Sequence, residues 1–370
     1  MINRNANLHL STEQSESIEL YSEIKEYGDM TNNQRQEISK VIIKLLKSRF
    51  DTFPEDATAP RNAPFHKAFL QAFSEKFDEA GTNVDAMISM SSWMHGLNTT
   101  LGQVFFESVA HILCNGDKRG FNGNEFRIYS EQERVIAEIM TDLKNGERHP
   151  NVAQEDNLIA HAANGNLVTG TNFTADCYFE DENNIVAIEL KSVRPNSGET
   201  RGEKQKILKA KAALRIMYPN KNIRYYFGFP FDPTANADTA YDKNRFMNNM
   251  IEFSKFCDAD EILIAEELWS YLSGEEGAMQ ELLDLIRSIA TVDFMEKFTF
   301  LSMPANLINN TDRYIEIARQ WSLTDEITIA QKVDILKEST VRSVKKSLYL
   351  QTFDTDGKYN ERRAKALMEC

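Results

Sequence analysis

Apolar and polar positions alternate most regularly near the middle of the chain. Phe173, Ala175, Cys177 and Phe179 alternate with polar residues, the period of a strand with one buried face, and the polar run Asp181 to Asn184 supplies a turn. Ile185 to Leu190 is then nearly continuous and apolar, as in a strand covered on both faces, yet Glu189 and Lys191 stand at its end. Ile223 to Phe231 predicts a third core strand stopped by Pro230 and Pro233, and Glu261 to Ala265 a fourth, running into a helix over Glu266 to Leu272. Most of the remainder reads as helix. Thr31 with Gln34 resembles a capping box ahead of the stripe Ile38, Val41, Ile42 and Leu45, and Pro54, Pro60 and Pro64 mark a loop. Met87 to Cys114 predicts two helices separated near Gly96 to Gly102, the second burying Val104, Phe105, Val109 and Ile112. Ser130 with Glu133 predicts another capped helix, ended by Asn145-Gly146, and Asn164-Gly165 ends a shorter one. Gly274 to Gly277 is a turn and Ala278 to Ile289 a helix. Residues 1–30 read as a loosely held polar arm, and the chain beyond Pro304 as a mostly helical subdomain.

Composition sets limits on this picture. The 370 residues, 42% hydrophobic, suffice for one large domain or a core with an appended subdomain. No stretch approaches the roughly 18 apolar residues of a membrane span, and the N-terminus lacks the apolar run of a signal peptide, so a soluble cytoplasmic protein is expected. Cys114, Cys177, Cys257 and Cys370 are widely spaced and suggest free thiols rather than disulfides or structural zinc. A net charge of -14 argues against coating a polyanion by bulk attraction. Local charge differs: between Lys191 and Arg224 ten basic residues face only Glu199 and Glu203. That tract suits either a polyanionic substrate or a solvated helix face, and the basic cluster Arg342, Lys345 and Lys346 is read as facing water.

The charges at the strand ends carry the candidate chemistry. Glu189 and Lys191 are two apart and project from one face, and Asp176 on the partner strand joins them if the register allows. Two converging carboxylates suit Mg²⁺, which takes one or two carboxylates and fills its other positions with water and phosphate oxygens. A lysine beside them can orient or deprotonate a water and neutralise charge on a phosphate. The alternative is a surface Glu–Lys pair worth at most about 1 kcal/mol. On the preceding helix Gln103, Glu107 and His111 form a polar stripe, either its wet side or a third acid, with His111 more often hydrogen-bonded than metal-binding.

Several blocks in order make the chain familiar: Pro64-Phe65-His66, the run from Gly96 to Gly102 with Phe106-Glu107, the Asp176 strand, Ile188-Glu189-Leu190-Lys191 with Arg194-Pro195-Asn196, Phe229-Pro230-Phe231-Asp232-Pro233, and Ile264 to Trp269. Over about Pro64 to Leu301 the chain resembles the TdeIII family of type II restriction endonucleases, within the PD-(D/E)XK nuclease superfamily. The resemblance implies an α/β restriction-endonuclease-like core, a mixed sheet flanked by helices, with helical N-terminal and C-terminal additions. The expected division is a nuclease domain at 31–303 with its core at about 101–272, an arm at 1–30 and a C-terminal extension at 304–370, the last two falling outside the resemblance. It implies Mg²⁺-dependent hydrolysis of double-stranded DNA by a homodimer at a short palindrome, with a methyltransferase acting on the same site. Asp176 and Glu189 would bind Mg²⁺, Lys191 would serve the attacking water and Glu107 would be an accessory acid. Arg194, Arg201, Lys204, Asn98 and His66 would contact DNA, at a site that could be GGNCC. Two positions depart from the pattern: Ala175 stands in place of proline, and Glu189 where aspartate is frequent. The same core would serve a structure-specific repair or resolvase-type nuclease, or a binding module that had lost its metal site.

Overall fold

Asp181 closes the predicted hairpin by an Asx turn: its Oδ1 accepts from the main-chain N–H groups of Asn183 and Asn184, both at 2.7 Å. The computed structural model describes residues 30–54, 63–122, 126–191, 197–250 and 252–369. The expected arm up to residue 29, Pro60 and Arg194 lie outside the described residues.

The chain divides into two compact units, one holding Ala110–Leu282 and the other Asn32–Val109 with Leu283–Cys370. The expected divide between 303 and 304 is not where they separate. The helix Asn32–Asp51 is tied instead to the C-terminal segment of its own unit. Gln36 Oε1 accepts from the Asp325 N–H at 2.7 Å, and Lys40 pairs with Glu361 at 2.9 Å.

In the first unit the strands are β1 (Asp117–Phe121), β2 (Arg127–Tyr129), β3 (Leu167–Thr169), β4 (Phe173–Glu180), β5 (Asn184–Leu190), β6 (Asn222–Phe229) and β7 (Ile262–Ile264). Among the described residues five of them form one mixed sheet in the order β1-β4-β5-β6-β7, while β2 and β3 pair as a small ribbon. β1, β4 and β5 run antiparallel, and β5, β6 and β7 parallel. A parallel pair needs a crossover, and the basic segment supplies it as a helix between β5 and β6. The helices that matter below are α1 (Phe106–Cys114), α2 (Ser130–Asn145), α3 (Val152–His161), α4 (Ser197–Met217) and α5 (Glu266–Ser273).

The two faces of the sheet are covered differently. Gly228 in β6 leaves no room for a side chain, since a Cβ there would lie 2.8 Å from Ile188 and 3.2 Å from Leu268 of α5. The Tyr271 ring of α5 also meets Tyr226 and Phe179 from that side. α4 reaches the opposite face, where Lys206 meets Glu189. The sheet is therefore flanked by helices, as expected.

Three details differ from the pattern-based reading. Tyr129, not Ser130, precedes the first turn of α2: its N–H donates to the buried Gln132 side chain at 3.0 Å, so the box sits one residue earlier. β7 is shorter than expected, because Glu261 closes a tight turn in which its carboxylate accepts from the Asp258 N–H. The break near Gly96 to Gly102 is absent. The helix Val84–Thr100 runs through Gly96, which leaves space for the Arg49 guanidinium, and continues as a π-helical turn, Leu101–Phe105, into α1. A π turn inserts a residue and rotates the stripe. Val104, expected inside, is therefore half exposed, whereas Phe105 and Val109 are buried.

The second unit is helical and closes on an aromatic core in which Trp321 stacks on Phe294. Glu326, fully buried, accepts from Arg363, Tyr314 and Tyr359, which satisfies its charge. Arg342, Lys345 and Lys346 are exposed.

Candidate active site

The register of the sheet brings the strand-end charges together. Cys177 pairs with Ile188, so the next step along both strands sets Asp176 opposite Glu189, and opposed residues share a face. Ala187 aligns with Tyr225 of β6, which places Tyr225 on that face as well. On β1 the register slips: Asp117 opposes Tyr178 but Arg119 opposes Ala175, so two steps on β1 face three on β4. The irregularity lies beside Asp176 and brings Lys118 to it, as bulges next to functional groups re-aim side chains.

Asp176 is held from both directions. Its main-chain carbonyl accepts from His111 Nε2 at 2.7 Å, and its Oδ2 accepts from the Leu190 N–H at 3.1 Å. His111 thus steadies the strand, a task for its Nε2–H rather than for metal ligation. Asp176 Oδ1 lies 3.2 Å from Lys118 Nζ. Glu189, buried at the strand end, meets Lys191 through Oε1 at 3.1 Å and Lys206 through Oε2 at 3.0 Å. Glu203 on α4 meets the same two lysines, at 3.2 Å and 2.6 Å. Glu189, Lys191, Glu203 and Lys206 therefore form a closed ring of alternating charge.

The ring does not balance Glu189. Burial pushes its carboxyl up and the neighbouring Asp176 charge adds to this, outweighing the two lysines. Burial acts to lower Lys191, but Glu189 and Glu203 together outweigh it and hold the ammonium above the ordinary lysine range. Each partner is thus shifted upward, the acid by burial and the Asp176 charge, the lysine by its two carboxylates. Linkage fixes the sign of a stability effect. A carboxyl raised in the folded state contributes stability below its ordinary value of about 4.3, and that contribution is lost as pH rises through the raised value. Glu189→Gln should therefore raise the melting temperature of the metal-free protein at neutral pH, and the gain should vanish below about pH 4. Thermal melts at the two pH values in EDTA check this; a lower melting temperature at neutral pH would show that the ion pairs dominate.

Asp176 and Glu189 line an open cleft of about 700 Å³ together with Lys118, Asn122, Thr174 and Lys206. Among the described residues no three His, Cys, Asp or Glu side chains converge on one point, so the candidate is a two-carboxylate site. The donors fit Mg²⁺, which binds through one or two carboxylates and keeps waters. Two observations support the fit: burial and then the Asp176 charge push the Glu189 carboxyl up, an imbalance that a cation would relieve, and among the described residues the buried Tyr225 hydroxyl on the same face has no hydrogen-bond partner.

The other expected site residues are placed as follows. Lys204 is not at a DNA-facing surface but fully buried, 2.6 Å from both Glu155 of α3 and Glu261. Lys209 pairs with Glu133, Lys211 and Arg215 with Asp156, and Lys221 with Glu180. Much of the basic tract is thus neutralised inside the unit, neither free for a polyanion nor simply solvated. Arg201 is exposed on the first turns of α4. Glu107 precedes His111 by one turn of α1 and, like the exposed Asn98 and His66, is assigned to the second unit. Lys118, Tyr225 and Glu203 were not singled out by the sequence. Of these only Glu203, an acid within the basic tract and three residues before Lys206, carried a detectable signal.

A fold with helices on both faces of a mixed sheet and paired carboxylates at a strand end beside a lysine is compatible with a nuclease, and comparison with known proteins establishes the class. The family description "Type II restriction endonuclease, HinfI" matches residues 30–290, and the chain belongs to this family of site-specific DNA-cutting enzymes. It is 45% identical over 367 residues to the type II restriction enzyme MjaII of Methanocaldococcus jannaschii, covering 92% of this chain and 97% of that protein. The match is to the HinfI description rather than to the TdeIII family, so the resemblance drawn from the sequence holds at the level of type II restriction endonucleases. No solved structure matches the chain. Among the described residues no helix is long and apolar enough to cross a membrane.

Proposed function

We propose that the protein hydrolyses phosphodiester bonds of double-stranded DNA at a short palindrome through the Asp176–Glu189–Lys191 centre, in the manner of PD-(D/E)XK nucleases and with Mg²⁺ as cofactor. The observation that carries this is the Cys177–Ile188 pair of β4 and β5, whose next step sets Asp176 opposite Glu189, with Lys191 against Glu189. Asp176 and Glu189 would hold the ion. Bound there, Mg²⁺ supplies charge neutralisation at the phosphate and makes water more acidic. Lys191, held by Glu189 and Glu203, would orient or help deprotonate the attacking water and stabilise negative charge growing on the phosphate oxygens. Glu107 is kept as the accessory acid, and Arg194, Arg201, Asn98 and His66 as candidate DNA contacts. Lys204 is dropped from that group.

A palindrome is most simply read by a two-fold protein, which favours a homodimer. An enzyme of this class works beside a methyltransferase that protects the host's own copies of the site, in the cytoplasm where that DNA lies. The TdeIII resemblance makes GGNCC the first site to test. Digestion of a sequenced plasmid and mapping of the ends should give discrete fragments with 5′-phosphates and 3′-hydroxyls at one palindrome. Cuts that follow branches or mismatches rather than sequence would favour a repair or resolvase-type enzyme.

A further inference from the structure

The two carboxylates of the centre carry cations already, and those cations come from this chain. Lys206 Nζ is 3.0 Å from Glu189 Oε2, and Lys118 Nζ is 3.2 Å from Asp176 Oδ1. Both oxygens belong to the groups that would ligate a metal, and both lysines line the cleft in which the substrate backbone would lie. A divalent ion and an ammonium compete for the same carboxylate lone pairs, because a carboxylate in contact with both would hold two positive centres close together. Displaced ammoniums would remain in the cleft as charged donors. Lys206 has a second anchor in Glu203 at 2.6 Å, so leaving Glu189 does not cast it into solvent.

We propose that Lys206 and Lys118 are exchangeable counter-ions: they pair with Glu189 and Asp176 in the metal-free enzyme and pass to phosphodiester oxygens of DNA when the metal takes the carboxylates. The inference rests on the metal-site reading of Asp176 and Glu189. Its consequence is a two-way coupling. Metal binding frees the phosphate contacts, so it tightens DNA binding, and by linkage DNA tightens metal binding by the same factor. Lys206 and Lys118 are positioning and binding groups in this scheme, while Lys191 stays with the reacting atoms.

The test uses Ca²⁺, a hard cation with oxygen ligands, and the full chain. Calorimetry measures Ca²⁺ uptake by the protein without DNA, and fluorescence anisotropy measures binding of a labelled duplex containing GGNCC, and of one of mixed sequence, with Ca²⁺ and with EDTA. For the unsubstituted protein Ca²⁺ should tighten duplex binding by about 10-fold, within the usual range of coupling between sites. Lys206→Met should bind Ca²⁺ several-fold more tightly, having lost the competing ammonium, while the tightening of duplex binding by Ca²⁺ falls toward one. Lys206→Arg should retain most of the coupling, and thermal melts establish that both variants fold. Unchanged Ca²⁺ affinity together with unchanged coupling in Lys206→Met would overturn the exchange while leaving the metal site standing. If the unsubstituted protein and Asp176→Asn titrate identically with Ca²⁺, the metal-site reading itself fails and the exchange falls with it.

Discussion

Lys191→Ala should lower the cleavage rate by about 100- to 1,000-fold or more while leaving duplex affinity within a few-fold of the original. The reason lies in where Lys191 sits. It is largely buried at the end of β5 and bonded to Glu189 and Glu203, and in the proposed mechanism its interaction would grow as charge develops on the phosphate. A group that stabilises the transition state more than the ground state affects rate rather than binding. Single-turnover cleavage and equilibrium binding, measured on the same duplex, separate the two. If both fall together, Lys191 is a phosphate clamp and the reacting centre lies elsewhere. Lys191→Arg keeps the charge but spreads it over a planar fork, so it should recover little activity if the contact needs a compact ammonium.

The second large effect is on stability. Lys204 is fully buried in α4 between Glu155 and Glu261, with its ammonium 2.6 Å from each carboxylate. Burial acts to lower its ionisation, but Glu261 and Glu155 outweigh it and hold the lysine well above its ordinary range, while burial pushes Glu155 up. Lys204→Met removes the cation and leaves two carboxylates without it in a dry interior, a loss of about 3–5 kcal/mol. Glu155→Gln and Glu261→Gln, added to the same chain, should return much of this loss, because no uncompensated charge then remains. Urea unfolding of the single and triple variants reads both values. A single variant that unfolds like the parent but binds all DNA sequences more weakly would put Lys204 back at a DNA surface.

Lys204 also shows what the sequence made legible and what it hid. The strands β4, β5 and β6 follow from local period, whereas the register that sets Asp176 opposite Glu189 was left open by the sequence and is fixed by the Cys177–Ile188 pair. The partners of the basic tract do not follow. Glu133, Glu155, Asp156, Glu180 and Glu261 lie tens of residues away from the lysines and arginines they pair with, so counting charge in a window offered a substrate-facing or a solvated tract and missed the internal ion pairs. Lys118 was hidden for another reason. β1 reads Asp-Lys-Arg-Gly-Phe, with no apolar alternation, and a register slip aims its lysine at Asp176. The helix break expected at Gly96 failed because glycine there serves close approach by Arg49, and the chain continues through a π turn that local propensity does not announce.

The most direct measurement is plasmid cleavage by the parent protein and by Asp176→Asn, each shown to be folded, in Mg²⁺ and in EDTA. Asp176→Asn keeps the shape of the side chain and an acceptor for the Leu190 N–H, while removing the charge that a metal needs. Discrete fragments from the parent in Mg²⁺, none in EDTA and none from Asp176→Asn in either are the predicted result. Cutting by Asp176→Asn at the parent rate in Mg²⁺, or by the parent in EDTA, would contradict a metal-dependent centre at Asp176 and Glu189.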